Sequence, residues 1–233
     1  MDPFSSVLGA SHVAIEVITK DCTQLSDAEL AEMADICADA PSRYEVGQLS
    51  KQAEAWVLVT LARDAGLKAF SFCTLERIGG TPSILIGVAS VKRTAKRSSV
   101  LRAVLTDQFR RAVMAFPDED VLVGTRFATA SGFEAFRNLD DIIPRPGHKV
   151  TGEERAWGRR LAKRFSIDSG SYDDKSFIAS GDGAFPLCLD YESLEADKID
   201  PEIVKLFKGV GAKRGDSLIA FGWAMAEDLA KIK

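Results

Sequence analysis

Apolar and polar residues are arranged along the first hundred positions in runs that are typical of β-strands. Three runs extend from Trp56 to Arg63, from Ala69 to Ile78 and from Ile84 to Val91, with short turn sequences between them. Strands joined by tight turns predict an antiparallel meander. An earlier run, Ser11 to Thr19, predicts the first strand. The most uniformly apolar of these strands are expected to be covered on both faces.

Two capping boxes predict where two helices begin. Ser26 is followed three residues later by Glu29, and Thr151 by Glu154. In this motif the two side chains bond backbone N–H groups that have no partner inside the helix. The first helix is expected to end before Pro41 and the second to extend to about 165. Residues 43–53 have an ambiguous pattern that favours a further short helix.

The stretch from Pro82 to Phe116 carries the most informative pattern of the chain. Its strand leads into a cationic turn and then into an amphipathic helix with Val100, Leu101, Val104, Leu105, Val113 and Met114 as its apolar positions. The start of a helix presents unpaired N–H groups and a favourable dipole to an anion, typically a phosphate. The cations of residues 92–111 are Lys92, Arg93, Lys96, Arg97, Arg102, Arg110 and Arg111. Two interpretations stay open, an anion site and a solvated helix face without a ligand.

The second half of the chain continues with further strands and helices. Val121 to Phe127 predicts a strand, and 132–139 a short helix. Residues 167–175 predict a mobile loop, Phe177 to Ala179 and Leu218 to Trp223 the final strands, and 201–207 a helix between them. No repeat or linker divides the sequence. We therefore predict one domain, 1–233, with a core over about 11–147 and a C-terminal extension over about 148–233.

Composition and charge narrow the class of protein. The chain has 233 residues, 46% hydrophobic and 27% charged, with a formal charge of −4. This is the composition of an ordinary globular domain, and the net charge disfavours general affinity for nucleic acids or membranes. The four cysteines have no CxxC spacing, and neither His12 nor His148 has metal-site spacing, so no metal is predicted. Reduced thiols and the absence of a leader-like segment predict a cytoplasmic protein.

The order of these elements resembles that of the GNAT (GCN5-related N-acetyltransferase) superfamily over about residues 11–147. The order is strand, two helices, three-strand meander, helix, strand and helix, and the extension supplies further strands. The resemblance implies an α+β fold with a mixed, mainly antiparallel central sheet flanked by helices. It also implies that the strand Ile84 to Val91 is central and diverges from Val121 to Phe127 to open a groove.

In this family an acyl-CoA binds in that groove, with its pyrophosphate at the turn before the central helix. The family signature, Gln/Arg-x-x-Gly-x-Gly/Ala, falls here on Lys96 to Leu101, where Ser99 and Leu101 replace the two small residues. The resemblance implies that the backbone of Ala89 and Val91 pairs with the pantetheine. It implies that residues around the turn hold the pyrophosphate of acetyl-CoA or another acyl-CoA, namely Lys96, Arg97, Ser98, Ser99, Val100, Leu101 and Arg102.

This sequence departs from the family's pattern at the catalytic positions. Acyl transfer needs a base for the amine and often a tyrosine that protonates the thiolate. The strand 84–91 has no carboxylate or histidine, so Glu76 is the candidate base, with pairing to Arg77 or a neighbour as its alternative role. Phe133 and Phe136 stand where the tyrosine is expected. The candidate proton donors are therefore Tyr172 and Tyr191, provided that the extension folds over the cleft.

Two functions follow from the resemblance. The first is an acyl-CoA-dependent N-acyltransferase, whose acceptor is an unidentified small-molecule or protein amine. The second is a non-catalytic GNAT-fold binding or regulatory protein, for which the missing acid and base argue. Association with RNA through the cationic stripe is disfavoured, because no aromatic residues interleave with the cations to stack on bases. No membrane partner is expected, and a homodimer is one option for the assembly.

Overall fold

The centre of the structure is a mixed, mainly antiparallel sheet. The computed structural model describes residues 15–232, so His12 and the start of the predicted first strand lie outside the described residues. Within that range ten strands form one sheet in the order β1-β2-β3-β4-β9-β5-β10-β8-β7, with β6 also paired to β10. The strands are β1 (Glu16–Asp21), β2 (Leu58–Arg63), β3 (Leu67–Ile78), β4 (Thr81–Val91), β5 (Val121–Phe127), β6 (Asp140–Ile143), β7 (Tyr172–Asp173), β8 (Ile178–Ala179), β9 (Leu189–Asp190) and β10 (Ser217–Ala224).

Helices cover both faces of this sheet. They are α1 (Asp27–Cys37), α2 (Val46–Ala55), α3 (Arg97–Ala115), α4 (Gly152–Arg164), α5 (Pro201–Leu206) and α6 (Ala226–Leu229). The alternation of side chains along β2 separates the two faces. Val59 and Leu61 pack in a cluster with Met33 of α1, whereas Ala62 packs in the cluster that contains Val104 of α3. The structure thus confirms the predicted α+β class.

The meander and the strand after the central helix follow the sequence pattern closely. β2, β3 and β4 pair antiparallel in sequence order, and β5 has the bounds that the apolar run predicts. Two details differ. The short helix predicted over 132–139 is a 3₁₀ helix over 130–136, and Met114 of α3 is 72% exposed although its position on the helix predicts burial. Met114 lies in the last turn of α3, where Ala112 and Phe116 are the residues buried in the core.

The extension adds strands to the far side of β5. β10 pairs antiparallel with β5 over seven residue pairs and with β8 on its other side, and β8 pairs with β7. The segment 167–175, predicted as a mobile loop, contains a 3₁₀ turn, Ser169–Ser171, and β7. No helix of residues 15–232 is long and apolar enough to cross a membrane.

Both predicted capping boxes are present. The Ser26 hydroxyl accepts from the backbone N–H of Glu29, and the Glu29 carboxylate accepts from that of Ser26; Thr151 and Glu154 form the same pair. Glu29 also binds Lys20 of β1, with Nζ to Oε1 at 2.7 Å. Burial raises the pKa of Glu29, but the hydrogen bonds from Lys20 and Ser26 outweigh this effect and hold the pKa at about 2.

Acid titration of Glu29 should therefore weaken the fold. Its folded pKa of about 2 lies below the ordinary 4.5, so the stabilisation is complete above pH 4.5 and is lost as the pH falls towards 2. We expect Glu29→Gln to lower the free energy of unfolding at pH 7 by at most about 3 kcal/mol and to flatten its decline between these pH values. Urea unfolding from pH 7 to 2 measures both effects. Replacement of the exposed Glu54 by Gln is the control, and an acid-side slope that Glu29→Gln leaves unchanged contradicts the assignment.

Candidate functional site

The parallel strands β4 and β5 separate in the middle of the sheet. They pair from Ser83↔Leu122 to Leu85↔Gly124, and the pairing then stops. A β-bulge lies at this point, because Phe72 of β3 faces both Gly87 and Val88 of β4. A bulge bends its strand and increases its twist, so β4 turns away from β5. The predicted divergence of these two strands is confirmed.

The groove between the strands is filled by the chain itself. β9, from the C-terminal extension, runs parallel to both strands, with Ala89↔Leu189 and Ser90↔Asp190 on one side and Phe127↔Leu189 on the other. The backbone N–H of Ala89 donates to the carbonyl of Cys188 at 3.2 Å. Val91 pairs with Ala69 of β3, and its side chain is buried. The predicted open groove is therefore closed, and the pantetheine contact expected at Ala89 is made by a peptide carbonyl.

Tyr44 holds the start of the inserted segment, residues 186–193, which contains β9. This residue follows α1, its side chain is 2% exposed, and it was not among the residues singled out by the sequence. Its hydroxyl donates to the carbonyl of Pro186 at 2.7 Å and accepts from the backbone N–H of Cys188 at 3.2 Å. Burial raises the pKa of the Cys188 thiol to about 12, so this cysteine is not a nucleophile at neutral pH.

The cations of the turn after β4 bind carboxylates of the same chain. Arg93 Nη2 lies 2.8 Å from Asp190 Oδ1, and its Nε lies 3.2 Å from Glu192 Oε2. Lys96 Nζ lies 2.8 Å from Asp64 Oδ2. Because Asp190 is buried, the Arg93 pair is shielded from solvent. The inserted segment thus brings two negative charges to the cationic turn where the resemblance places a pyrophosphate.

The start of α3 is also in contact with the inserted segment. Arg97 donates to the carbonyl of Ser193 at 3.2 Å, and the hydroxyls of Ser98 and Tyr191 lie 3.1 Å apart. Tyr191 in turn donates to Glu134 of the 3₁₀ helix at 2.9 Å. Burial and the neighbouring Glu134 raise the pKa of Tyr191 to about 12. The extension therefore folds over the cleft and places Tyr191 at the start of α3, where the resemblance places the pyrophosphate.

The rest of the predicted phosphate turn borders an open cavity. Lys96 does not cap α3 with its side chain, and Ser99 and Arg102 are exposed. Val100 and Leu101 are buried, so only their backbones are available to a ligand. A cavity of about 930 Å³ lies between α3, the 3₁₀ helix and α6. Its charged lining comprises Arg102 and Arg137 against Glu134, Asp140, Glu195 and Asp228, a set that opposes the binding of several phosphates.

The catalytic candidates are not brought together. Glu76 is bound by Arg164 of α4, whose Nε donates to Oε1 at 3.0 Å, while Arg77 pairs with Glu119. Tyr172 lies in β7, three strands beyond β5, with its hydroxyl buried against α4 and without a hydrogen-bond partner among the described residues. Phe133 and Phe136 pack on Phe127 with ring centroids 5.0 and 5.1 Å apart. No base or acid faces the closed groove from these positions.

The remaining chemistry of the predicted site is sparse. His148 binds Glu154 at 2.8 Å, in the capping box of α4. The cysteines are free and buried, and no cluster that could hold a metal ion is found among residues 15–232. Sequence reasoning missed Tyr44, Cys188, Asp190 and Glu134, which hold the inserted segment. The only sign of the inserted segment in the sequence was the apolar-rich stretch 185–191.

The similarity of this chain to known proteins is limited to solved structures. No protein-family model and no curated protein matches the chain. Solved structures that it resembles include the aminoglycoside 6'-N-acetyltransferase from Enterococcus faecium, at 14% identity over 47% of this chain and 62% of that enzyme, with a TM-score of 0.34. The ribosomal-protein-S18-alanine N-acetyltransferase from Escherichia coli matches at 12% identity over 59% of this chain and 86% of that one, with a TM-score of 0.39. A GNAT family acetyltransferase from Brucella melitensis, solved with acetyl-CoA, matches at 14% identity over 46% and 75%, with a TM-score of 0.33.

The strand order, the divergence of β4 and β5 and the position of α3 between them in the chain are those that the resemblance to the GNAT superfamily implies. The chain spans less than two thirds of the Enterococcus enzyme, and the similarity concerns the fold alone.

Two tyrosines offer a matched test of how the inserted segment is held. Tyr44→Phe leaves a buried carbonyl and a buried N–H without their partner, so it should lower the free energy of unfolding by about 1–3 kcal/mol. Tyr172→Phe removes a buried hydroxyl that has no partner among the described residues, so it should be neutral or stabilising. Urea unfolding of both variants measures the difference. Equal effects would show that the Tyr44 bonds do not hold β9.

Proposed function

We propose that this chain is a non-catalytic GNAT-fold protein, a binding or regulatory module whose own extension takes the place of acyl-CoA. The observation that carries the proposal is the position of β9 between β4 and β5. There the carbonyl of Cys188 accepts from the backbone N–H of Ala89, and Asp190 forms an ion pair with Arg93. The peptide supplies the same hydrogen-bonding and negative groups that the cofactor would supply. The residues present therefore do not fit acyl-CoA in this conformation.

The energy needed to open the groove supports this proposal. Removing β9 would expose Leu189 and Tyr191, which are 3% exposed, together with Cys188. Apolar side chains of this size contribute about 1.5–3 kcal/mol each on burial, and the lost hydrogen bonds add about 1 kcal/mol each. A ligand with an intrinsic Kd in the micromolar range has a binding free energy of about 8 kcal/mol. An opening cost of roughly 5–10 kcal/mol would raise its apparent Kd to the millimolar range or beyond. Acyl-CoA would therefore fail to displace the segment at cellular concentrations.

The second candidate is an acyl-CoA-dependent N-acyltransferase with a displaceable extension. It is favoured by the start of α3, which has no side-chain cap and carries the exposed Arg102 in its second turn. A ligand phosphate there would accept from the first-turn N–H groups. The acceptor would be an amine, and the base would be Glu76 once released from Arg164. This candidate requires that acyl-CoA binding moves β9.

Cys188 reports directly on which candidate is correct. The proposal predicts that saturating acetyl-CoA leaves Cys188 unreactive, since its thiol is buried under Tyr44. The measurement is the rate of N-ethylmaleimide labelling at Cys188, resolved by mass spectrometry, with and without acetyl-CoA. The buried Cys73 in β3 is the internal control for general unfolding.

A saturable increase in Cys188 labelling, with Cys73 still protected, would overturn the closed-groove proposal and establish the acyltransferase candidate's first step. In that case the Lys96→Ala/Arg97→Ala double variant should lose the effect, because each charge-assisted bond to phosphate is worth about 1.5–3 kcal/mol. Calorimetric titration with acetyl-CoA measures that loss. Acetyl transfer to simple amines, followed by release of CoA, tests turnover separately.

A further inference from the structure

A second cavity, of about 370 Å³, lies on the face of the sheet opposite α3. It is enclosed by the C-terminal ends of α2 and α4 and by β3, β4 and β5. Half of its lining residues are polar, and the apolar half includes Trp56 and Phe165, with 6.2 Å between ring centroids, and Leu85 and Val88 from β4. The volume is at the lower end of the range, about 300–1,000 Å³, that small-molecule sites occupy.

Arg126 of β5 is the one lining cation that is withdrawn from solvent. It is half-buried, and its Nε donates to Ser217 Oγ at 3.0 Å, but it makes no ion pair with any carboxylate of residues 15–232. Burial lowers the pKa of its guanidinium. A desolvated charge without a counterion is costly, and an arriving anion would remove that cost.

Two further cations and one carboxylate line the cavity. Lys163 and Arg164 of α4 also line it, and its one carboxylate, Glu76, is already bound by Arg164. Arg126 and Lys163 therefore stay uncompensated by any lining residue. Positive charge combined with aromatic walls selects a ligand that is apolar at one end and anionic at the other.

We propose that this cavity binds a small monocarboxylate with a compact apolar tail, with the carboxylate on Arg126 and the tail against Trp56 and Phe165. A guanidinium offers two parallel N–H groups to a carboxylate, a geometry that an ammonium group cannot reproduce. The ring of Trp56 is fixed by packing on Gly87 of the β4 bulge and by a hydrogen bond from its Nε1 to Gln52 at 3.1 Å. Leu187, just before β9, also lines the cavity, so the site belongs to the conformation in which β9 closes the groove and rests on the function proposed first.

The test compares an acid with its neutral amide on the intact chain. Calorimetry with 3-phenylpropionate and 3-phenylpropanamide should show the acid binding about tenfold to a hundredfold more tightly. Arg126→Gln should bring that ratio close to one. Lys163→Gln, at the exposed rim, should leave most of the ratio in place.

A shape variant separates charge from packing. A Cβ at Gly87 would come within 2.3 Å of Trp56 Cε2, so Gly87→Ala must displace the indole ring. Gly87→Ala should lower the affinities for the acid and for the amide by the same factor, so that their ratio is unchanged. Circular dichroism establishes that each variant is folded.

Three results would overturn the proposal: no saturable binding of the acid to the parent chain, a parent ratio near one, or a ratio lost in Lys163→Gln and kept in Arg126→Gln. If Arg126→Gln does not fold, the test uses the ratio of acid to amide affinity in the parent chain and in Lys163→Gln. A ratio that is high in both supports the proposal, and a ratio near one in the parent contradicts it. These outcomes are independent of acetyl-CoA, so failure here and failure of the closed-groove proposal are distinguishable.

Discussion

Backbone groups that separate inside a protein must find other partners, and this constraint governs the centre of the sheet. Where β4 bends away from β5 at its bulge, both strands present N–H and C=O groups to the gap. β9 satisfies them from both sides, and its side chains join the core cluster through Leu189 and Tyr191. The fit of β9 explains why the two halves of the chain form a continuous sheet and why the groove is closed.

The elements that depend on local pattern were predicted well. The apolar runs and turns gave the meander and β5, and the two capping boxes placed the starts of α1 and α4. β9 escaped prediction because a two-residue strand has no periodicity, and its partners lie far away in the chain, Ala89 for Leu189 on β4 and Phe127 for Leu189 on β5. Pairing over such a distance depends on tertiary geometry, which a hydrophobic pattern does not encode.

The candidate site shows the same limit in electrostatic terms. The sequence identified a cationic turn, and the structure confirms that its charges lie together beside the start of α3. The charges of the turn were visible, but their partners Asp64, Asp190 and Glu192 come from distant segments. A cluster of one sign in a sequence therefore indicates a need for counterions without saying whether a ligand or the chain supplies them. Arg126 illustrates the reverse case, a cation in an apolar strand that only the fold shows to have no ion-pair partner within residues 15–232.

The sequence distance between β9 and its neighbours has a consequence for how the molecule is made. A ribosome has produced β1 to β5 long before residues 188–224 emerge, and the early strands can pair through short connections. Until then the nascent chain carries a split sheet whose inner strand edges are exposed, the kind of surface that recruits other strands. Residues 188–224 thus close a sheet that residues 16–127 begin, and they can do so only after the earlier strands have been made.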